Sequence, residues 1–339
     1  MTLPSLRHRS PLTPARLTLT LAVLTGVLLT AVLLALAVGS VSIPLPRVIA
    51  GLTGIGEASE SERTIILAIR LPRVLLGILV GAGLSVAGAM LQAILRNPLA
   101  EPYILGISSG GTMGTILVAA IAGSSGMLFG PAASFAGSAL VMVLVYGLAH
   151  RRGRLDPYTL LLAGVMVGAF FNAAVLLTFA LFNQELRNAF LWLMGNLSTA
   201  QMETLLIAGP LTVVGVLIGA LDVRRFNLVA TGEETAAQLG VNVGALRKRT
   251  YLLASLITGA VVSVSGVIGF VGLIIPHVCR LVFGPDHRVL LPSSFLLGGT
   301  FLVLADTLAR TIIAPAEVPV GAVTAALGAP VFVYLLRKR

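Results

Sequence analysis

Residues 74–95 read VLLGILVGAGLSVAGAMLQAIL, a stretch of 22 residues without a charged side chain. At about 1.5 Å per residue, a helix of this length crosses the ~30 Å hydrocarbon core of a bilayer. The stretch carries Gly77, Gly81, Gly83 and Gly88, and small residues at such spacings let a second helix backbone approach closely in lipid. The run therefore predicts a transmembrane helix that packs tightly against its neighbours.

The whole 339-residue chain shares this character, with 57% hydrophobic and only 11% charged residues. A soluble domain has about 25% charged residues because its surface faces water. The composition thus excludes a soluble enzyme and a disordered chain, and the single cysteine, Cys279, excludes a disulfide scaffold. The formal net charge of +10 is spread over short clusters between apolar runs, which indicates membrane topology and no nucleic-acid partner. We infer a polytopic membrane protein in contact with lipid.

Ten apolar runs predict an all-α protein with about ten transmembrane helices in a single transmembrane domain over residues 1–339. The runs cover residues 17–39, 74–95, 104–122, 131–149, 160–182, 204–221, 250–270, 272–284, 289–309 and 321–336. The eighth run is too short to cross a bilayer alone. Because Gly266, Gly269 and Gly272 lie where the seventh and eighth runs meet, we expect a broken or re-entrant turn there.

The basic residues predict the orientation of these spans. With residues 1–16 as a cytoplasmic N-terminal tail and ten spans, 17 of the 23 Lys and Arg residues lie at cytoplasmic ends and loops. This is the usual bias of membrane proteins, and it places both termini in the cytoplasm of a bacterial or archaeal cell, with the chain in the inner (cytoplasmic) membrane. Residues 222–249 then form a cytoplasmic loop.

Six basic residues remain on the outer side, and three of them lie at the ends of spans: Arg70, Arg73 and Arg310. One interpretation is interfacial anchoring, in which guanidinium groups reach the lipid headgroups. The other is a docking surface for acidic side chains of an external partner. Position alone leaves both interpretations open.

The membrane interior offers no group for catalysis or proton coupling. The runs over residues 74–95, 104–122, 131–149, 160–182 and 250–270 contain no Asp, Glu or His, the residues on which proton-driven transporters rely. The chain has neither an HExxH zinc motif nor a GxxxxGK[ST] phosphate loop. We expect His277 and His287 to be hydrogen-bonded structural residues and no metal site. If the chain takes part in active transport, the energy source is therefore another subunit. The alternatives are a secondary transporter and an intramembrane enzyme.

The cytoplasmic loop contains a pattern typical of a short capped helix. Thr231 with Glu234 three residues later predicts a capping box at the start of this helix, and Gly240 predicts its end. A second short helix is expected over about 243–248. Together they would form a compact lever on the cytoplasmic face.

Several motifs, in order along nearly the whole chain, carry a family resemblance. They are Arg70-Leu71-Pro72-Arg73, Gln92, Asn97-Pro98-Leu99-Ala100-Glu101-Pro102, Leu105-Gly106-Ile107-Ser108-Ser109-Gly110, Leu162-Ala163-Gly164-Val165, Trp192-Leu193-Met194-Gly195, Glu234-Thr235-Ala236-Ala237 with Gly240, Gly266 to Leu273, Pro276-His277 with Arg280, Asp286-His287-Arg288, Pro319-Val320-Gly321 and Gly328-Ala329-Pro330. The sequence resembles the permease subunits of type II ABC importers, which take up ferric siderophores, haem and cobalamin.

The resemblance implies a homodimer with one translocation path, two cytoplasmic ATPase subunits that bind the ATP, and an external substrate-binding protein. This chain would itself hold no cofactor and have no catalytic residue. A metal chelate is the implied cargo, with a ferric siderophore as first choice and cobalamin or haem as alternatives.

The resemblance also implies roles for three groups of residues. Arg70, Arg73 and Arg310 match the arginines that engage acidic residues of the binding protein. The ATPase-coupling segment corresponds to Glu233, Glu234, Thr235, Ala236, Ala237 and Gly240. The cytoplasmic gate corresponds to Asp156, Pro157 and Tyr158, although Tyr158 departs from the small hydroxyl residues that the family often has there.

Overall fold

The computed structural model describes residues 13–126, 129–151, 154–181, 194–198, 200 and 202–337. Within these ranges the chain is helical apart from its connections and one two-residue antiparallel strand pair, β1 (His150–Arg151) and β2 (Arg154–Leu155). The helices are α1 Pro14–Ala37, α2 Leu45–Thr53, α3 Glu60–Thr64, α4 Leu71–Leu95, α5 Ile107–Gly126, α6 Gly130–Ala149, α7 Pro157–Leu181, α8 Met202–Ala220, α9 Val223–Thr231, α10 Glu233–Gln238, α11 Val243–Ser265, α12 Val271–Phe283, α13 His287–Ala309 and α14 Val320–Arg337. A π-helical turn, Ile65–Arg70, joins α3 to α4, and a 3₁₀ turn, Pro102–Leu105, precedes α5.

Each of the ten predicted runs coincides with a helix, which confirms the all-α membrane fold. Among the described residues, six helical segments are long and apolar enough to cross a bilayer, namely α1, α4 together with α3 and the π-helical turn before it, α6, α7, α8 and α13. The apolar parts of α5, α12 and α14 are shorter. The remaining helix that matches a run, α11, has a basic second turn that contains Arg247, Lys248 and Arg249.

The centre of the bundle is α4, which is buried along nearly its whole length between α13, α11 and α12. Its glycines decide how close those neighbours come. A Cβ atom at Gly81 would lie 2.2 Å from the carbonyl oxygen of Gly298, and one at Gly88 would lie 1.9 Å from that of Gly272. Only glycine fits such backbone-to-backbone contacts, so the predicted close-packing face is confirmed.

The predicted break between the seventh and eighth runs is also confirmed. The backbone of α11 ends at Ser265, and α12 begins six residues later at Val271. Gly266 and Phe270 both have positive φ angles, 68° and 69°, a region that a side chain such as phenylalanine rarely enters. The 13 residues of α12 extend about 20 Å, too little to cross the hydrocarbon core alone.

The two ends of the bundle differ in chemistry. One end, here called the arginine end, holds Arg70, Arg73 and Arg310 together with α2 and α3. The opposite end, here called the α10 end, holds α9, α10 and the β1–β2 pair. The predicted functional groups therefore fall on two separate faces of the protein.

Candidate functional site

Arg73 forms the centre of an ion-pair cluster at the arginine end. Its Nε donates to Asp306 Oδ1 at 3.0 Å and Oδ2 at 2.9 Å, and its Nη2 donates to Asp306 Oδ1 at 2.9 Å. Its Nη1 donates to both carboxylate oxygens of Glu317, at 3.0 and 2.9 Å. The side chains of Arg73 and Asp306 are 8% and 4% exposed, whereas Glu317 is 43% exposed. Arg73 thus ties the start of α4 to the end of α13 and to the segment before α14.

Arg70 and Arg310 cap the C-terminal end of α1 by donating hydrogen bonds to its last carbonyl groups. Arg70 Nη1 donates to the carbonyl oxygens of Leu36 at 2.6 Å and Ala37 at 3.1 Å, and its Nη2 donates to that of Val41. Arg310 Nη2 donates to the carbonyl oxygen of Ala35. The last carbonyl groups of a helix have no partner within the helix and carry partial negative charge. Two arginines from other parts of the chain satisfy these groups here.

The guanidinium groups of all three arginines are therefore engaged inside the chain. Arg70, Arg73 and Arg310 are only 4%, 6% and 6% exposed. Desolvation of an unpaired guanidinium group is costly, and acids and carbonyl groups of the same chain compensate it. Their docking role stays a prediction, and an external carboxylate would have to displace the internal partners. The sequence interpretation missed Asp306 and Glu317, although both acids flank Arg310 within a few residues.

The short helix α10 contains most of the residues predicted to couple to an ATPase. Ala236 is fully buried, while Glu234, Thr235 and Ala237 are exposed and Glu233 is half-buried. The helix ends at Gln238, and Gly240 follows with a φ of 85°. Leu239 is 61% exposed. The helix therefore packs against the bundle through Ala236, and its opposite face exposes both polar and apolar side chains.

The predicted caps of this region are wrong in part. Thr231 is the last residue of α9, where its hydroxyl donates to the Leu228 carbonyl oxygen at 2.8 Å, and it does not cap α10. Gly232, with a φ of 138°, directly precedes α10, which has no side-chain cap. The expected short helix over 243–248 is the first part of the 23-residue α11. The predicted helix end near Gly240 is confirmed.

Hydrogen bonds from Asn227 hold α9 to the start of α13. Its Nδ2 donates to Asp286 Oδ1 at 2.7 Å, and its Oδ1 accepts from the backbone N–H of His287 at 2.9 Å. The Nδ1 of His287 lies 2.8 Å from the same oxygen. Hydrogen bonds from Arg288 hold the pKa of Asp286 at about 2. His287 thus has a structural contact, and the described residues contain no cluster of three or more His, Cys, Asp or Glu that would hold a metal ion.

The predicted gate residues lie at the start of α7. Asp156 Oδ2 accepts from the backbone N–H of Thr159 at 2.7 Å, which is a helix N-cap. Pro157 is the first residue of the helix, where its missing N–H and fixed φ are well tolerated. Tyr158 is 76% exposed. The three residues form a rigid helix start from which the Tyr158 ring projects, and their role as a gate stays a prediction.

A buried acid, to which the sequence motif that contains it assigned no role, lies in the loop after α4. Glu101 is only 7% exposed, and it accepts a hydrogen bond from the backbone N–H of Phe270. Burial raises the pKa of Glu101 to about 7. Nearby, Gln92 Nε2 donates to the carbonyl oxygens of Gly272 and Leu273 at 3.4 and 3.3 Å, and its Oε1 accepts from Arg280 at 3.0 Å. These contacts fix the broken helix α11–α12 to α4 and its following loop.

Comparison with known proteins identifies the family. Residues 27–338 match the FecCD transport family. The chain belongs to this family. The resemblance to type II ABC importer permeases is thereby confirmed, and the relatives and structures below agree with it.

Two relatives and one solved structure illustrate the similarity of this FecCD chain. The chain is 46% identical over 281 residues to the cobalamin import system permease protein BtuC of Halobacterium salinarum, with 83% of this chain and 75% of the relative covered. It is 44% identical over 278 residues to the hemin transport system permease protein HmuU of Yersinia pestis, with coverages of 80% and 83%. A structure described as an inward-facing conformation of a metal-chelate type ABC transporter superposes with a TM-score of 0.83 at 31% identity, covering 95% of this chain and 100% of that one.

Proposed function

We propose that this chain is the membrane-spanning subunit of an ATP-driven importer that carries a metal chelate across the cytoplasmic membrane. The observation that carries the proposal is the FecCD match over residues 27–338, together with a fold shared with a metal-chelate type ABC transporter. Two copies of the chain would enclose one path. Both termini and the α10 end would face the cytoplasm, and the arginine end would face the external binding protein.

The geometry of α10 supports contact with an ATPase subunit. The helix is anchored by buried Ala236 and by an ion pair from Glu233, so its remaining side chains are free to meet a partner. Glu234, Thr235 and Ala237 form this outer face. A helix that is fixed on one side and exposed on the other transmits a push into the bundle, because packed elements shift as units.

The apolar interior supports transport powered from outside the chain. The charged residues concentrate at the two ends, and long exposed apolar side chains cover the surface of helices such as α7 and α8. A path with few charged groups holds a passing chelate weakly, which suits a subunit that relies on its binding protein for affinity. A ferric siderophore is the first cargo to test, and cobalamin and haem are the alternatives.

Reconstitution in proteoliposomes with the ATPase and binding-protein subunits tests this function. We expect ATP-dependent accumulation of one of three labelled cargoes, a ferric hydroxamate, cobalamin or haemin. Uptake that follows an ion gradient without the ATPase would instead identify a secondary transporter. Uptake of cobalamin or haemin in preference to the siderophore would overturn the first choice of cargo and leave the importer assignment intact.

A charge reversal on α10 tests the coupling role. We expect Glu234→Arg to lower the chelate transported per ATP hydrolysed by about ten-fold, since removal of one interfacial charge contact changes binding by about 1–2 kcal/mol or more. Glu60 is an exposed acid on α3 at the opposite end, so Glu60→Arg is the matched control. Equal coupling in both variants would contradict the role of α10.

A further inference from the structure

Arg247, in the second turn of α11, connects two of the segments described above. Its Nη2 donates to Glu233 Oε1, the first residue of α10, at 2.5 Å. Its Nη1 donates to the carbonyl oxygen of Leu155 at 3.0 Å, and Leu155 directly precedes Asp156, Pro157 and Tyr158. The Arg247 side chain is only 9% exposed. One buried guanidinium group therefore contacts both the coupling helix and the start of the predicted gate.

We propose that Arg247 is a positioning residue that transmits displacement of α10 to the backbone of residues 155–158. The proposal rests on the proposed function, because it takes α10 as the element that an ATPase moves.

The backbone at Leu155 is well placed to pass the motion on. Leu155 is buried and pairs with His150 in the β1–β2 ladder. The next residue, Asp156, caps α7 through its side chain and also receives the first backbone hydrogen bond of that helix, from Leu160 at 2.9 Å. A shift of the Leu155 carbonyl group is thus a shift of the α7 N-terminus, from which Tyr158 projects.

The chemistry of arginine explains why the guanidinium group follows α10. A buried cation stays paired with its carboxylate because separation leaves an uncompensated charge, so Arg247 moves with Glu233 or the ion pair breaks at high cost. The planar guanidinium group donates in two directions at once, to Glu233 and to Leu155, in a geometry that a lysine ammonium group does not reproduce. Its buried Nε has no hydrogen-bond partner, so the two Nη groups make the hydrogen bonds that hold the side chain.

Hydrogen–deuterium exchange of the complete reconstituted complex, with and without ATP, tests the proposal. In the wild type, we expect nucleotide to change the protection of residues 233–240 and of residues 155–160. In Arg247→Gln, we expect the nucleotide-dependent change in protection at residues 233–240 to persist. The change in protection at residues 155–160 should fall by about five-fold or more, which is the lower end of the usual coupling between two sites. Chelate transported per ATP should fall in parallel.

Three further variants make the result specific. Arg247→Lys keeps the charge and should behave like Arg247→Gln, whereas wild-type behaviour would overturn the two-way donor argument. Glu233→Gln keeps the side-chain shape at a half-exposed position and should lower the change at 155–160 in the same direction. Arg225→Gln is the control at the same end, because Asp222 keeps its ion pair with Arg249 at 3.3 Å, and both segments should still respond.

The outcomes separate this proposal from the function on which it rests. If nucleotide changes neither segment in the wild type, the proposed function and the Arg247 proposal both fail. If the wild type responds and Arg247→Gln still changes at both segments, only the Arg247 proposal is overturned. Thermal unfolding of each variant shows whether a lost response reflects a lost fold. If Arg247→Gln does not fold, the response of residues 155–160 in Glu233→Gln decides whether the Arg247 proposal holds.

Discussion

Removal of the charge of Asp306 should destabilise the protein strongly, because the buried Arg73 loses its most buried carboxylate partner and the buried Arg310 loses a nearby carboxylate. Asp306 accepts three hydrogen bonds from Arg73 and lies 3.7 Å from Arg310 Nε. All three side chains are at most 8% exposed. Breaking one side of a buried ion pair costs about 3–5 kcal/mol, since the remaining charge stays buried. We expect Asp306→Asn to cost this amount.

The matched control is the exposed ion pair between Arg47 and Glu62, which has a similar distance of 2.8 Å but leaves Arg47 57% exposed. Exposed pairs contribute about 0–1 kcal/mol, so Glu62→Gln should cost no more than that. The measurement is thermal unfolding of the purified protein in detergent. We expect Asp306→Asn to lower Tm by about 5 °C or more relative to Glu62→Gln.

A combined replacement gives the sharper form of the same test. Arg73→Met together with Asp306→Leu removes both charges, so it should cost less than Asp306→Asn alone. If Asp306→Asn unfolds at the same temperature as Glu62→Gln, the cluster does not stabilise the bundle. The arginines would then be available for an external partner, as the family resemblance implies.

Two further predictions concern the interior of the bundle. Glu101→Gln should raise Tm above pH 7 and flatten its pH dependence. Because the pKa of Glu101 is raised to about 7, the folded wild type binds more protons than the unfolded chain between pH ~4.5 and ~7, so its stability falls as pH rises through that window. The control variant Glu60→Gln should leave the pH dependence of Tm unchanged. A wild-type Tm that does not fall across this window would contradict the argument. Gly88→Ala should lower stability by about 1–3 kcal/mol because its new methyl group meets the Gly272 backbone, whereas Gly26→Ala, with nothing within 4 Å, should be neutral or stabilising in the same melting assay.

The spans and the helix break could be predicted because both follow from local sequence. Run length alone places α4, and its glycines correctly indicate close neighbours. The glycines at 266, 269 and 272 predict the break, but not that Phe270 takes a left-handed conformation. That strain is offset by a contact with Glu101, which is more than 160 positions away in the chain, and sequence spacing carries no information on such a contact.

The candidate sites show the same limit. The three arginines were placed correctly at one end, but their partners depend on tertiary packing, since Arg73 and Asp306 are 233 positions apart. Thr231 fits a capping pattern, yet α9 continues through it because Gly232 provides the turn. The sequence predicts a separate short helix over about 243–248, whereas these residues are the first part of the continuous helix α11. Arg247 is one of the 17 basic residues that indicate the cytoplasmic side, and its position in the sequence does not predict its burial.

The capping of α1 has a consequence for biosynthesis. α1 is the first helix that the structure describes, but the Ala35 carbonyl group at its end receives its hydrogen bond from Arg310, 275 positions later. Most of its surface is otherwise outside the protein interior. During synthesis, the Ala35 carbonyl group at the end of α1 therefore lacks this hydrogen bond until nearly the whole chain has been made. Arg70 can cap Leu36 and Ala37 early in synthesis, but interruption of synthesis before residue 310 should leave the Ala35 carbonyl group without its hydrogen bond.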